Sequence, residues 1–155
     1  LIDKINATLK ELGSEDEWVK TPEPVEETEA LKDKSIVMVD DAQGLLECFA
    51  PHLIVATDGN ATFIKYNGQS IEELVKQILQ TKANLVLLDY HLSDTLKGSS
   101  VARALLGDNF SGLVVGFSSD SGAKRDFQQS GAFGSVDKNA GSPETSVKAL
   151  AELLK

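Results

Sequence analysis

A parallel β-sheet with helices on both faces is the α/β fold class that this sequence predicts, and three observations carry the reading. Short apolar runs alternate with helical patterns five times between residues 35 and 155, the order that builds a layered α/β domain. One of these runs, Leu85-Val86-Leu87-Leu88, has no polar residue in it, which marks a strand buried on both faces. Each run also ends in polar or charged residues, and in a parallel sheet the carboxyl ends of the strands share one edge, where ligands and chemistry collect.

The elements follow in order. Ile2, Ile5, Leu9 and Leu12 form a helical stripe that Gly13 stops. It is either the end of an upstream helix or an element docked on the main domain, and it is too short for a coiled coil. Residues 14–34 are acidic, hold two prolines and few apolar groups, and read as a linker. Within them, Trp18 either packs partly on its own domain or meets a partner. The expected division is therefore an N-terminal helix and acidic linker over 1–34 and a main domain over 35–155.

Ser35 to Val39 is the first strand, ending in Asp40-Asp41. The helix from Ala42 carries Leu45, Leu46, Cys48 and Phe49, and Pro51 is expected to close it. Leu53 to Thr57 reads as the second strand, Asp58-Gly59-Asn60 as a turn, and Ala61 to Gln69 stays ambiguous. Ser70 with Glu73 forms a capping box for a helix over Ile71, Leu74, Val75, Ile78 and Leu79. Asn84 to Leu88 is the third strand and delivers Asp89; Ser99 or Ser100 caps the next helix, which Gly107 ends. Leu113 to Phe117 is the fourth strand, running into Ser118-Ser119-Asp120, and a short helix over Ala123 to Gln129 stops at Gly131. Phe133 to Val136 is the fifth strand, ending in Asp137-Lys138. Ser142 and Pro143 then open a last helix with Val147, Leu150, Leu153 and Leu154 on its buried side.

Composition excludes several classes. The net charge is −9, with ten acids against five lysines in residues 1–34 alone, so direct nucleic-acid binding is not expected. One cysteine and two histidines allow neither an internal disulfide nor a zinc site. Cys48 is expected to be a buried thiol in a reducing cytoplasm. No run spans a membrane and no signal peptide is visible. The chain begins at Leu1, so a fragment of a longer protein is one expectation.

At the shared edge the pattern gathers Asp40 and Asp41 from the first strand, Asp89 from the third, Ser118 and Ser119 from the fourth and Lys138 from the fifth. Thr57 and Asp58 are expected off to the side. Crowded carboxylates stay ionised most easily around a hard cation with oxygen ligands, and Mg²⁺ suits such an open site. A carboxylate can also attack phosphorus and form an acyl phosphate, while an ammonium and a hydroxyl answer the charge on the phosphoryl oxygens.

In this order, VMVDD, LVLLDYHL, VVGFSS and GAFGSVDK resemble the motifs of the receiver domain of response regulators in two-component phosphorelays, over residues 35–155. The resemblance implies a flavodoxin-like, doubly wound five-stranded sheet in the order 2-1-3-4-5. It implies that Asp89 is the phosphoacceptor, that Asp41 binds Mg²⁺ directly with Asp40 helping through water, and that the backbone carbonyl of His91 completes the protein ligands. It assigns Ser118 and Lys138 to the phosphoryl oxygens. A histidine kinase or histidine phosphotransfer protein would be the donor, with an upstream fused domain as one arrangement. Because no further domain follows the last helix, a regulator with a DNA-binding effector on its C-terminal side is not expected.

The sequence departs from that pattern in three places. No proline stands near Ser93, Asn139 rather than proline follows Lys138, and Ser135 occupies the position of the usual switch aromatic. Coupling through an inward-moving ring cannot operate at Ser135; Phe133 is read as core, with a substitute aromatic as the alternative. His91 and Asp120 would flank the phosphoryl group and tune its lifetime, or His91 is simply an exposed loop residue. The rival readings are a receiver-like interaction module that does not depend on phosphorylation and an Asp-dependent phosphohydrolase. The latter would place its nucleophile in a DxD motif after an early strand, which Asp40-Asp41 is not. A Rossmann domain is disfavoured because no Gly-rich turn follows the first strand.

Overall fold

Five strands form one parallel sheet in the order β2-β1-β3-β4-β5 in the computed structural model, which describes residues 1–15, 17–18, 25–138 and 141–155. The strands are β1 (Ile36–Asp40), β2 (Ala61–Lys65), β3 (Leu85–Asp89), β4 (Leu113–Ser118) and β5 (Gly134–Asp137). The helices are α1 (Ile2–Glu11), α2 (Gln43–Ala56), α3 (Ile71–Gln80), α4 (Gly98–Gly107), α5 (Ser121–Ser130) and α6 (Pro143–Leu153), with a 3₁₀ helix over Glu26–Leu31.

The strands alternate their side chains between two apolar layers, as the pleat requires. Ile36, Met38, Leu85 and Leu87 face one layer with α1, α2, α6 and Leu31 of the 3₁₀ helix. Val37, Val39, Val86 and Leu88 face the other with α3, α4 and α5. Both faces of the sheet are covered, which is why β1 and β3 are buried along their whole length.

The caps read from the sequence form as expected at Ser70, whose hydroxyl accepts from Glu73 N at 3.2 Å, and at Ser142, which accepts from Thr145 N at 3.2 Å with Pro143 as the first helical residue. The cap of α4 differs. Its N-cap is Lys97, without a side-chain bond, and the helix starts at Gly98. Gly98 N donates to Tyr90 O at 2.6 Å, and a Cβ on Gly98 would lie 2.0 Å from Asp89 O. This close approach fixes the helix start against the end of β3 and leaves only glycine there.

The second strand is the main correction. Leu53 to Thr57 are not a strand, because α2 runs on to Ala56 with Pro51 inside it. Proline removes one backbone donor, and burial of Leu53, Ile54, Val55 and Ala56 in the core outweighs that loss. Thr57 caps the helix end, its hydroxyl donating to Leu53 O at 2.7 Å. Ile36 N donates to Asn60 O just beyond, so Thr57 and Asp58 lie at the sheet edge opposite Asp89. The real β2 is the Ala61–Lys65 stretch, in which only Ala61 is buried.

Three smaller differences concern single residues and the linker. Cys48 is exposed rather than buried. Phe133 is 52% exposed and does not pack in the core. Part of the acidic segment is structured: the 3₁₀ helix packs on α6 and α2, and its Leu31 is fully buried. Nearby, Asn6 exchanges two hydrogen bonds with the backbone of Trp18 (2.9 and 2.7 Å), and the Trp18 ring meets His52 edge-on.

Candidate functional site

Register brings the site together. Val39 pairs with Leu88, and Asp40 and Asp89 are the next residues along. Both then fall on the face that carries Met38 and Leu87, so two carboxylates stand side by side on neighbouring strands. Asp41 follows immediately in the loop, and one carboxylate oxygen from each of Asp40, Asp41 and Asp89 lies within 4.8 Å of the others. Asp40 and Asp89 are buried, whereas Asp41 is exposed.

Lys138 closes the cluster from the end of β5. Its Nζ donates to Asp89 Oδ1 at 2.8 Å and sits 3.0 Å from Asp40 Oδ2, the latter an ionic contact without hydrogen-bond alignment. Its backbone N–H donates to Ser118 O at 3.2 Å, which ties the lysine to the end of β4. Asp40 Oδ1 accepts from Ala42 N at 2.8 Å. Two buried oxygens remain without a hydrogen bond, Asp40 Oδ2 and Asp89 Oδ2. Buried acceptors in this state are uncommon and call for an explanation such as an ion or a ligand.

The electrostatics follow from burial. Asp89 is pushed up to about 7, first by burial and then by the charge of Asp40, against the pull of Lys138. Burial also raises Asp40, opposed by the Ala42 N–H and by Lys138. Burial works against the Lys138 ammonium, yet its two carboxylate partners hold it above the usual lysine value. Two acids and one base thus share less positive charge than they need, and the site favours an added cation.

Ser118 lies at the end of β4, where its hydroxyl accepts from Asp120 N at 3.1 Å. Asp120 then caps α5 by accepting from Gly122 N at 2.9 Å. The Gly122 N–H and, after it, His91 lower the Asp120 carboxyl. The His91 ring is exposed, with Nε2 3.4 Å from Asp120 Oδ2. The site residues expected from the sequence therefore lie at one sheet edge. The bond after Lys138 leads to Asn139, outside the described residues.

Tyr90 is a site neighbour that sequence reasoning did not single out. It is buried, its hydroxyl donates to Asp126 Oδ2, and its ring meets Phe127 edge-on at 5.6 Å. The bond to Asp126 and burial push the Tyr90 phenol up to about 12. A separation of 36 residues hides this pair from any local pattern.

No family model matches the sequence, and no curated protein matches it. Solved structures do match the fold. The BeF₃-activated receiver domain of DrrB is 21% identical, over 78% of this chain and 97% of that one, with a TM-score of 0.59. The BeF₃-activated N-terminal receiver domain of RstA from Klebsiella pneumoniae is 22% identical, over 77% and 97%, with a TM-score of 0.60. A DNA-binding response regulator of the LuxR family from Staphylococcus aureus is 15% identical, over 79% and 99%, also with a TM-score of 0.60. The fold of this chain is that of a response-regulator receiver domain, with the flavodoxin-like strand order 2-1-3-4-5.

Proposed function

We propose that the chain is a phosphorylation-dependent signalling switch with Asp89 as its phosphoacceptor. The observation that carries this reading is the Asp89 carboxylate itself. It stands buried at a strand end, Oδ1 paired with Lys138 and Oδ2 without a partner. A phosphohistidine of a histidine kinase or phosphotransfer protein would supply the group. Asp89 Oδ2 attacks phosphorus, the phosphorus–nitrogen bond breaks, and the imidazole leaves with that electron pair and takes up a proton. The product is an acyl phosphate on Asp89. Lys138 pairs with a phosphoryl oxygen and the Ser118 hydroxyl donates to another.

Asp40, Asp41 and Asp89 fit Mg²⁺: they offer oxygen donors only, one carboxylate oxygen from each lies within 4.8 Å of the others, and Asp40 Oδ2, buried and without a hydrogen bond, has only the ionic contact of Lys138. These carboxylates, with the backbone carbonyl of His91, would hold the ion. Bound there, Mg²⁺ would offset the carboxylate charge and that of the incoming phosphoryl oxygens. Output would run through protein–protein contact, in keeping with a chain whose net charge is −9. Among the described residues no helix is long and apolar enough to cross a membrane; a cytoplasmic site of action is part of the proposal.

Intact mass after incubation with acetyl phosphate tests the reading. One Mg²⁺-dependent phosphoryl adduct is expected on the wild type and none on Asp89→Asn. If the wild type takes up no phosphoryl group and binds no beryllofluoride, the switch reading is refuted. That result would favour an interaction module independent of phosphorylation, the reading to which Ser135 in the aromatic's place already points.

A further inference from the structure

We infer that Tyr90 transmits occupancy of Asp89 to helix α5 through its hydrogen bond to Asp126, an inference that rests on the phosphoacceptor reading above. Neither aromatic position near β5 can do this. Ser135 has no ring, and Phe133 is half exposed at the start of β5, away from Asp89. Tyr90 is the residue next to Asp89 in the chain and is only 4% exposed. Its hydroxyl is bonded to Asp126, midway along α5.

The same helix is keyed to the sheet beside that bond. Phe127 lies against Gly116 of β4, where a Cβ would come within 2.2 Å of the Phe127 ring. The ring also reaches Gly98, where a Cβ would lie 3.0 Å from Phe127 Cζ and 2.0 Å from Asp89 O. Phe127 of α5 thus packs between Gly116 of β4 and the start of α4 at Gly98, on the sheet face opposite the Asp89 carboxylate. At its other end α5 is held by the Asp120 N–H on the Ser118 hydroxyl, at 3.1 Å.

Besides the packing of Phe127, two hydrogen bonds hold helix α5, and each involves a residue that adjoins the reacting carboxylate or its phosphoryl group. A rotation of the Ser118 side chain that brings its hydroxyl onto a phosphoryl oxygen would move the oxygen that accepts from Asp120 N and lengthen that contact. The Tyr90–Asp126 bond then remains as the link through which a shift of the loop after β3 moves the helix. Coupling of this kind needs an element with two arrangements that both ends bias; here that element is α5. Tyr90 acts as a positioning residue, since its side chain points into α5 and takes no part in the phosphoryl transfer.

Amide hydrogen exchange of α5 tests the inference, measured with and without acetyl phosphate and Mg²⁺ while intact mass records the adduct in the same samples. In the wild type the adduct is expected to change exchange across Gly122–Ser130 about fivefold or more, the range of ordinary site-to-site coupling. Tyr90→Phe keeps the ring but loses the hydroxyl, and Asp126→Ala breaks the pair from the helix side. Both variants are expected to take up the phosphoryl group as the wild type does, yet to show a change under about twofold. A purely structural role would shift α5 exchange equally in both states and leave the difference intact, which would overturn the inference. So would an adduct on the wild type with no change in α5, or loss of uptake in either variant, because the side chains would then belong to the reaction. Absence of any adduct on the wild type would instead refute the phosphoacceptor reading, and the inference with it.

Discussion

Replacing Asp89 with asparagine should make the metal-free protein more stable at neutral pH, even though it removes the proposed reacting group. Asp89 has an ordinary carboxyl value of 3.8 and is held at about 7 in the fold, chiefly by burial. Between those values the folded state binds the proton that the unfolded state has lost. Stability therefore falls as pH rises through that window, and the full cost of the buried charge is present above it. The rise from 3.8 to about 7 corresponds to a ceiling of about 4 kcal/mol. Asparagine resembles the neutral acid and can still accept from Lys138. In EDTA at pH 8, Asp89→Asn should raise the melting temperature by several degrees, at about 2–4 °C per kcal/mol for a domain of this size. At pH 4.5 the gain should shrink towards zero. Thermal unfolding of both proteins from pH 4.5 to 8 decides the matter. A variant less stable than wild type at pH 8, or a gain that does not depend on pH, would refute the account of a charge buried at a cost. Mg²⁺ should stabilise the wild type and leave Asp89→Asn much less affected.

Other perturbations probe other parts of the fold. Gly98→Ala should destabilise by about 3 kcal/mol or more, because its Cβ would meet the Asp89 carbonyl oxygen at 2.0 Å and backbone on both sides resists the shift; urea unfolding measures it, and an effect near zero would show that the start of α4 can move. Leu31→Ala should cost about 2–5 kcal/mol, since Leu31 is fully buried against the main core and its loss leaves a cavity; a cost below 1 kcal/mol would show the 3₁₀ helix to be peripheral. Burial lowers His52 below its ordinary 6.5, partly offset by Glu144. The unfolded state then binds the proton first, so His52 contributes a loss of stability as pH falls below 6.5, and His52→Gln should flatten the fall in melting temperature between pH 7 and 5.

Much of the site was legible because parallel strands all deliver their ends to one edge. Asp40, Asp89, Ser118 and Lys138 each terminate a strand or follow one directly, so placing the strands placed the chemistry. The second strand was not legible. Leu53 to Ala56 are buried within α2, and a helix covered on most sides loses the periodicity that separates it from a strand. Pro51 then suggested an end that tertiary burial overrode. The true β2 lies at the sheet edge, with four of its five residues at least partly exposed, and so lacked an apolar signature. Cys48 sits in a helix with apolar neighbours, but on its outer side. Leu31 and Thr28 are the two buried residues of the 3₁₀ helix, too little apolar content to stand out in an acidic stretch. The Tyr90–Asp126 pair depends on how α5 lies across the sheet, which no local pattern encodes.

The docking of α1 and the 3₁₀ helix bears on how this domain can be transplanted. Ile5, Leu9 and Leu31 belong to the same apolar cluster as Ile36, Met38 and Leu87. A cut at Ser35, where the strand-and-helix alternation begins, would strip the cover from α2 and α6 and leave sticky faces on the excised piece. The portable module is therefore larger than its strand pattern advertises. Chimeras that join a new upstream partner should keep the chain from Leu1 onward, since the junction that looks like a hinge on paper carries part of the interior.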